Sequence, residues 1–284
     1  MLEHFVDVCE SNLIESGTYG SVYLSVHNGK ECAVKKISLT KQFDSFLRES
    51  EMAIKTKHTK YSVPVYKCFA MNNAGYLVME NCKCDLFTLM RTECFFGERD
   101  AAKMFQKICL GVAELHSRNI AHLDLKLENI LINQNDEVKL CDFGSAMSFE
   151  GREKRYYPTD KIGTPIYCAP EIIMKKPFLP VMADSWSLGV ILHALVFQGF
   201  PVRSTKGPHD AYSNYTVDHV YQSPLSASCK SLLCRLLSLE PTSRLSVDEI
   251  LQHPWINSSI TTTENKRKFS SVRNILKKTS NLVL

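Results

Sequence analysis

Three residues in one short stretch have the chemistry to hold a cation and a hydroxyl group side by side: Asp124, Asn129 and Asp142. They lie within residues 120–146, IAHLDLKLENILINQNDEVKLCDFGSA, where the acidic loops HLDLKLEN and DFG alternate with the apolar runs Ile130–Ile132 and Val138–Leu140. Each run reads as a short buried strand, and the polar residues 133–137 supply the turn of a hairpin. Closing that hairpin predicts that the three polar side chains converge. One carboxylate then orients a hydroxyl. The other carboxylate and the amide oxygen suit Mg²⁺, a hard cation that prefers oxygen ligands. Such a set serves phosphoryl transfer, in which catalysis is mostly positioning and neutralisation of charge.

The elements that must carry these loops are legible on both sides. Residues 9–37 read as three strands, with Gly17 and Gly20 of LIESGTYGSVYL in a turn between alternating apolar residues. Glycine there lets backbone amides approach phosphate closely, since no Cβ intervenes; an ordinary hairpin needs glycines too. CAVKKI is an apolar strand with Lys35 embedded, a residue that in such a strand usually snorkels to solvent. Residues 42–57 carry apolar positions at Phe43, Phe46, Met52 and Ala53 compatible with a helix, and two strands follow near residues 65–71 and 75–80. Between Glu98 and His116, apolar residues recur at 101, 104, 105, 108, 112 and 115, which predicts a helix beneath the acidic loops.

Composition narrows the class. The 284 residues suffice for one large domain or two lobes, and 44% hydrophobic with 23% charged content is that of a soluble globular chain. No apolar run of about 18 residues stands out, so no membrane span is expected. MLEHFVDVCE lacks the basic-then-apolar order of a secretory signal. The 11 cysteines are odd in number and scattered without a CxxC pair, which predicts reduced thiols in a cytosolic or nuclear protein. A net charge of +4 gives no case for nucleic-acid binding.

HxDxKxxN followed thirteen residues later by DFG, with AVK upstream and GTPIYCAPE downstream, resembles the eukaryotic serine/threonine protein kinases over about residues 9–256. The lower half is most similar to the calcium/calmodulin-dependent and AMP-activated group, in a divergent cellular or virus-encoded form. The resemblance implies an α+β bilobal fold within residues 1–257. An antiparallel sheet lobe with one helix would span about 1–79, a hinge 80–84, and a mainly helical lobe 85–257. It implies ATP and Mg²⁺ as cofactors and protein substrates with Ser/Thr acceptors. Neither a nucleic acid nor a membrane partner is implied, and the oligomeric state stays open.

Residue by residue, the resemblance makes Asp124 the group that orients the substrate hydroxyl and Lys126 the neutraliser of the γ-phosphate. Asn129 and Asp142 become the Mg²⁺ ligands. Lys35 would hold the α- and β-phosphates and needs a carboxylate partner; Glu49 is preferred, because His58 then falls nine residues on, with Glu51 as the alternative. Gly17, Gly20 and Val22 fit the glycine-rich pattern, with Glu15 where its first glycine is expected. Ala33, Met79 at the gatekeeper position, Glu80 and Cys82 in the hinge, Asp85, Leu131 and Cys141 would surround the nucleotide. The Cys141 thiol is then either open to an electrophile or buried and inert. Thr164 would bridge Asp124 and Lys126, Glu171 and Arg244 would form a buried ion pair, and Asp184 would hold the catalytic-loop backbone. His122 would pack and hydrogen-bond without acting as a base.

Two departures bear on regulation. Leu123 replaces the arginine that reads an activation-loop phosphate, and Asp160 stands at the usual phosphothreonine position. Together they predict an enzyme that does not wait for loop phosphorylation, although Asp160 also reads as a solvated loop charge. Residues 201–226 fit the family poorly. The tail 258–284 is Ser/Thr/Asn-rich and basic, with Arg267 three residues before Ser270. It reads as a mobile terminus, a basic patch, or a pseudosubstrate for a site with Asp85 and Glu128 as arginine receptors. A rival reading from another class is a pseudokinase scaffold without turnover, which Glu15 and Leu123 favour.

Overall fold

The alternating residues near the N-terminus become three strands in the computed structural model, which describes residues 12–17, 20–92, 97–158, 162–201 and 217–258. These are β1 (Leu13–Gly17), β2 (Gly20–His27) and β3 (Lys30–Ser38). With β4 (Val65–Met71) and β5 (Ala74–Glu80) they form an antiparallel sheet in the order β1-β2-β3-β5-β4. The register builds one wall of a cleft. Val22 lies opposite Lys35, Lys35 opposite Leu77, and Ala33 opposite Met79. Gly20 takes φ +135, and a Cβ there would run into the carbonyl of Lys36. This glycine is therefore required by the strand beneath it as well as by any ligand above.

Helix α1 (Leu39–Lys55) lies on this sheet through Phe46, which shares a small core with Ile37 and Leu77. It starts earlier than residue 42 and is kinked at Gln42. Phe43, one of the apolar positions compatible with this helix, is 53% exposed. Phe43 precedes the buried Met52 by nine residues, about two and a half helical turns, so the two point to opposite sides.

The rest is mainly helical. It comprises α2 (Leu86–Thr92), α3 (Glu98–Ser117), α4 (Pro170–Ile173), α5 (Pro180–Phe197), α6 (Asp218–Gln222), α7 (Ala227–Leu236), α8 (Val247–Gln252) and α9 (Pro254–Ser258). The six apolar positions predicted on α3 are all buried. The acidic loops hang from two small sheets. β8 (Ile130–Ile132) pairs with β9 (Val138–Leu140) and with β6 (Cys84–Asp85), while β7 (Ile120–Ala121) pairs with β10 (Met147–Ser148).

Helix α5 bears on the expectation that no membrane span is present. Helix α5 has 18 residues with a mean hydropathy of 1.4, long and apolar enough to cross a membrane by length and composition. Its 89% burial shows where that character goes. The helix is apolar around its circumference because α3 and α7 pack on it as a central pillar. Nine cysteines lie among the described residues and none is in a disulfide; those residues also contain no cluster suited to a metal among Cys, His, Asp and Glu. The stretch 202–216 and the basic tail, with Arg267 and Ser270, lie outside the described residues.

At Gly189, α5 comes so close to α7 that a Cβ would meet Leu236 Cβ at 2.8 Å and Leu237 Cδ2 at 2.9 Å. Gly189→Ala should therefore separate the two helices and cost about 1–3 kcal/mol. Urea denaturation followed by circular dichroism should show the midpoint falling without a large change in slope.

Candidate active site

The buried ammonium of Lys35 bridges the two halves of the molecule. It donates to Glu49 Oε1 on α1 and to Asp142 Oδ1, both at 2.8 Å. Of the two acidic candidates, Glu49 faces inward and is 4% exposed, whereas Glu51 lies on the surface and pairs with Lys55. The residues are two apart on a helix, about 200° around the axis, so only one can face the sheet. Burial pushes the Glu49 carboxyl up to about 7, with Lys35 opposing and Asp142 adding to the rise. Lys35 is held above the ordinary lysine range: its burial works the other way but is outweighed by the two carboxylates. Desolvation likewise works against ionised Asp142, but Lys35 keeps its carboxyl below the usual range.

The second group of polar side chains sits on the loop that follows β7. Asp124 Oδ1 accepts from Thr164 Oγ1 at 2.8 Å, and Lys126 Nζ lies 3.3 Å from Asp124 Oδ2 and 3.1 Å from Thr164 Oγ1. Burial opposes the Lys126 charge, but the Asp124 carboxylate prevails and raises its pKa. Asn129 Nδ2 donates to Asp124 O at 2.8 Å and to Asp124 Oδ2 at 3.2 Å. That commitment leaves the amide oxygen as the end of Asn129 suited to a cation. On Asp142 both the Lys35 and Gly144 N contacts fall on Oδ1. An amide oxygen and a carboxylate beside a cleft fit Mg²⁺, which takes few protein ligands and keeps the rest for phosphate and water.

The loop is held from below by Asp184 at the buried end of α5. Its Oδ2 accepts from His122 N and faces His116 Nε2, and its Oδ1 accepts from Leu123 N, all at 2.8–2.9 Å. These contacts hold Leu123 at φ +60, an uncommon conformation for a bulky residue. Asp142 also takes φ +60. Gly163, at φ +69, approaches the Leu123 carbonyl so closely that a Cβ would lie 2.6 Å from it. His122 is fully buried, with Nε2 2.9 Å from Cys141 O and its ring against Phe143. Glu171 and Arg244 form a bidentate buried pair at 2.6 and 2.7 Å, and the guanidinium lies over Trp186.

Lys35, Glu49, Lys126, Asn129, Asp142, Gly163 and Thr164 border one cleft of about 600 Å³, within the range of small-molecule sites. Its walls include Glu15, Gly20, Val22, Ala33, Met79, Glu80, Cys82, Asp85, Leu131 and Cys141. Glu15 is exposed on β1, opposite Val22. Asp85 caps α2, accepting from Thr88 N at 2.8 Å and Thr88 Oγ1 at 2.7 Å. Glu80 Oε1 accepts from Asn133 Nδ2. The Cys141 thiol lines the cleft half-buried, and desolvation holds its pKa well above the ordinary range, with the Asp142 charge adding. Gly17 ends β1 opposite Gly20. Asp160 lies outside the described residues.

Sequence reasoning missed several supporting contacts. Arg48 on α1 donates from Nε to Gly144 O at 2.8 Å. Tyr167 OH accepts from Leu127 N and donates to Glu128 Oε2, both at 3.4 Å. Tyr167 was visible in the IYCAPE loop, but nothing in its spacing pointed to residue 127. Arg48 lies one residue before Glu49, and only the packing of α1 aims it at the DFG turn.

A fold of this kind, with a cation bridging its halves above a loop of paired acidic and basic groups, defines a phosphoryl-transfer architecture. The sequence profile described as the protein kinase domain matches residues 10–256, and the chain belongs to that family. It is 30% identical over 256 residues to rat serine/threonine-protein kinase ULK3, covering 85% of this chain and 53% of that protein. It is 31% identical over 253 residues to the Arabidopsis thaliana SNF1-related protein kinase catalytic subunit alpha KIN12 (86% and 50%). With human testis-specific serine/threonine-protein kinase 4 it shares 29% over 273 residues (86% and 80%). The chain thus spans about half the length of several curated relatives that it matches.

The Glu49 carboxyl should titrate near pH 7, followed by carbon-13 shifts of labelled side-chain carboxyls. Replacing Lys35 with Met removes the opposing cation and should move the midpoint higher. A glutamate in the unfolded chain loses its proton near 4.5. Between 4.5 and 7 the folded state therefore holds the extra proton, and this group's contribution to stability falls as pH rises.

Proposed function

We propose that the chain is a serine/threonine protein kinase that transfers the γ-phosphoryl group of ATP to protein hydroxyls. The observation that carries the reading is the triangle of Asp124, Lys126 and Thr164, whose Lys126 and Thr164 line the same cleft as the Lys35–Glu49–Asp142 bridge. In this reading Asp124 orients the acceptor hydroxyl and receives its proton, while Lys126 stabilises charge on the transferred group. Lys35 binds the inner phosphates, with Glu49 fixing its position. Asn129 and Asp142 would hold Mg²⁺, which when bound supplies neutralisation of phosphate charge. Hinge residues 80–84 join an N-lobe of about 1–79 to a C-lobe of 85–257 and border the nucleotide. Thr164 bridges Asp124 and Lys126. The Glu171–Arg244 pair and Asp184 serve as supports.

Three finer proposals belong to the same reading. The kinase prefers a basic residue upstream of the acceptor, received by Glu128 and Asp85, both of which border the cleft. It works without activation-loop phosphorylation: Leu123, buried and apolar, has no group to read such a phosphate, and Asp160 supplies a fixed charge. It acts in the cytoplasm or nucleus. The pseudokinase alternative is disfavoured by the retention of Lys35, Glu49, Asp124, Lys126, Asn129 and Asp142, since a scaffold has little physical need for all six.

Phosphate transfer from ATP–Mg²⁺ to a Ser/Thr peptide library, by protein freed of phosphate beforehand, should be detectable. It should fall by at least about a thousandfold in Asp124→Asn, the scale expected when an essential acid–base group is lost. Nucleotide binding without transfer would support the scaffold instead. Peptides with arginine three residues before the acceptor should be favoured, and Glu128→Gln should reduce that preference by about tenfold, through loss of one charge-assisted contact. An unchanged ranking would remove Glu128 from the specificity site.

A further inference from the structure

Glu15 stands where the glycine-rich pattern expects its first glycine, and it brings a charge to the cleft that the reading above leaves unused. The sheet register shows where that charge points. Glu15 lies opposite Val22, Val22 opposite Lys35, and Lys35 opposite Leu77. Residues directly opposite one another project from the same face of a sheet, so this row shares one face. All four of its members border the cleft. The neighbouring row, Ser16, Ser21, Lys36 and Tyr76, projects from the other face. Consistent with that alternation, Ser16 Oγ and Ser21 Oγ lie 3.2 Å apart, and the Tyr76 ring stacks on Phe69.

Among the described residues no cation pairs with the Glu15 carboxylate, which is exposed. Lys36 is turned away with its row. The three lysines that border the cleft are each committed elsewhere: Lys35 to Glu49 and Asp142, Lys83 to Asp136, and Lys126 to Asp124. Val22 stands between Glu15 and Lys35, whose strands are two spacings or about 10 Å apart. The cleft thus has a paired cation on its inner side and an unpaired acid on its outer strand.

We propose that Glu15 is a charge filter for the nucleotide, weakening phosphate-bearing ligands in proportion to the negative charge that their cations leave uncovered. The nucleotide is taken from the kinase reading above, and the filter rests on that reading. Phosphates held by Lys35 share a cleft face with the Glu15 carboxylate, and like charges at that separation repel. A divalent cation removes much of the phosphate charge and with it much of the repulsion. Asn129 and Asp142 would attract the cation, while Glu15 turns away the nucleotide that lacks one. A glycine at this position supplies no such repulsion. Because Glu15 is exposed, salt screens its field.

The test compares the full chain with Glu15→Gln by calorimetric titration of adenosine, ADP–Mg²⁺, ATP–Mg²⁺ and ATP with divalent cations chelated. At low ionic strength Glu15→Gln should bind ATP–Mg²⁺ about tenfold more tightly, and at physiological salt about threefold, the scale of a unit charge acting over about 10 Å on a doubly charged ligand. The gain should be larger for ATP without a cation and absent for adenosine. Glu15→Lys should extend the gains in the same order. Equal gains for every ligand would overturn the proposal, since they would mark a change of packing. So would a loss of adenosine affinity, which would mark a contact to the sugar, or a gain that salt does not reduce. If no chain binds nucleotide, the filter and the ATP part of the kinase reading fall together. Binding in the expected order without phosphate transfer would uphold the filter and count against the kinase reading alone.

Discussion

A buried ammonium shared by two carboxylates from different parts of the chain is the interaction on which the rest of this structure depends. Lys35 comes from β3, Glu49 from α1, and Asp142 lies 107 residues downstream of Lys35. Placing a charge in such a site is costly unless it is paired and hydrogen-bonded, so the three groups hold one another in place. The pair with Glu49 fixes the rotation of α1 against the sheet. The pair with Asp142 draws the DFG turn beneath the sheet. Raised Glu49 and lowered Asp142 show that the two acids are not equivalent. Asp142 keeps its charge firmly, whereas Glu49 gives up its proton only near neutrality.

The helical half solves a different problem, holding a loop of polar groups rigid without a sheet to pair it. Asp184 does this from inside the core by accepting from two successive backbone amides and facing His116. A buried carboxylate with three partners is well compensated, and it can impose φ +60 on Leu123, a strain the surrounding contacts must sustain. The apolar pillar α5 carries Asp184 at its buried face. This links its membrane-like hydropathy to function, because a helix packed on all sides positions its single acidic residue firmly. The Glu171–Arg244 pair plays the same part for α4, tying it to the residues before α8.

Viewed from α1, the molecule has inner and outer fastenings. Inside, Glu49, Phe46 and Met52 anchor it; outside, Arg48 reaches Gly144 and Lys55 reaches Ser148. The small Ala53 lies on the cleft side, where it adds little packing. Helix α1 therefore relies on polar contacts to the segment after DFG. Such contacts respond to changes in charge, whereas a fully packed apolar seat would not.

The sequence by itself determined what depends on local chemistry: the β8–β9 hairpin, the spacing of Asp124, Asn129 and Asp142 around it, the buried face of α3, and the identity of the family. Each of these follows from residues within one or two elements, where turn preference and hydrophobic period act directly. Only the tertiary structure decided between Glu49 and Glu51, turned Phe43 outward, aimed Arg48 at Gly144 and brought Lys55 to Ser148. It also showed that the hydropathy of α5 serves the core and not a membrane. These outcomes depend on how one helix is rotated against a sheet and which surfaces then meet across many tens of residues. No spacing rule encodes that rotation, because it is settled by the summed packing of side chains contributed by the whole fold.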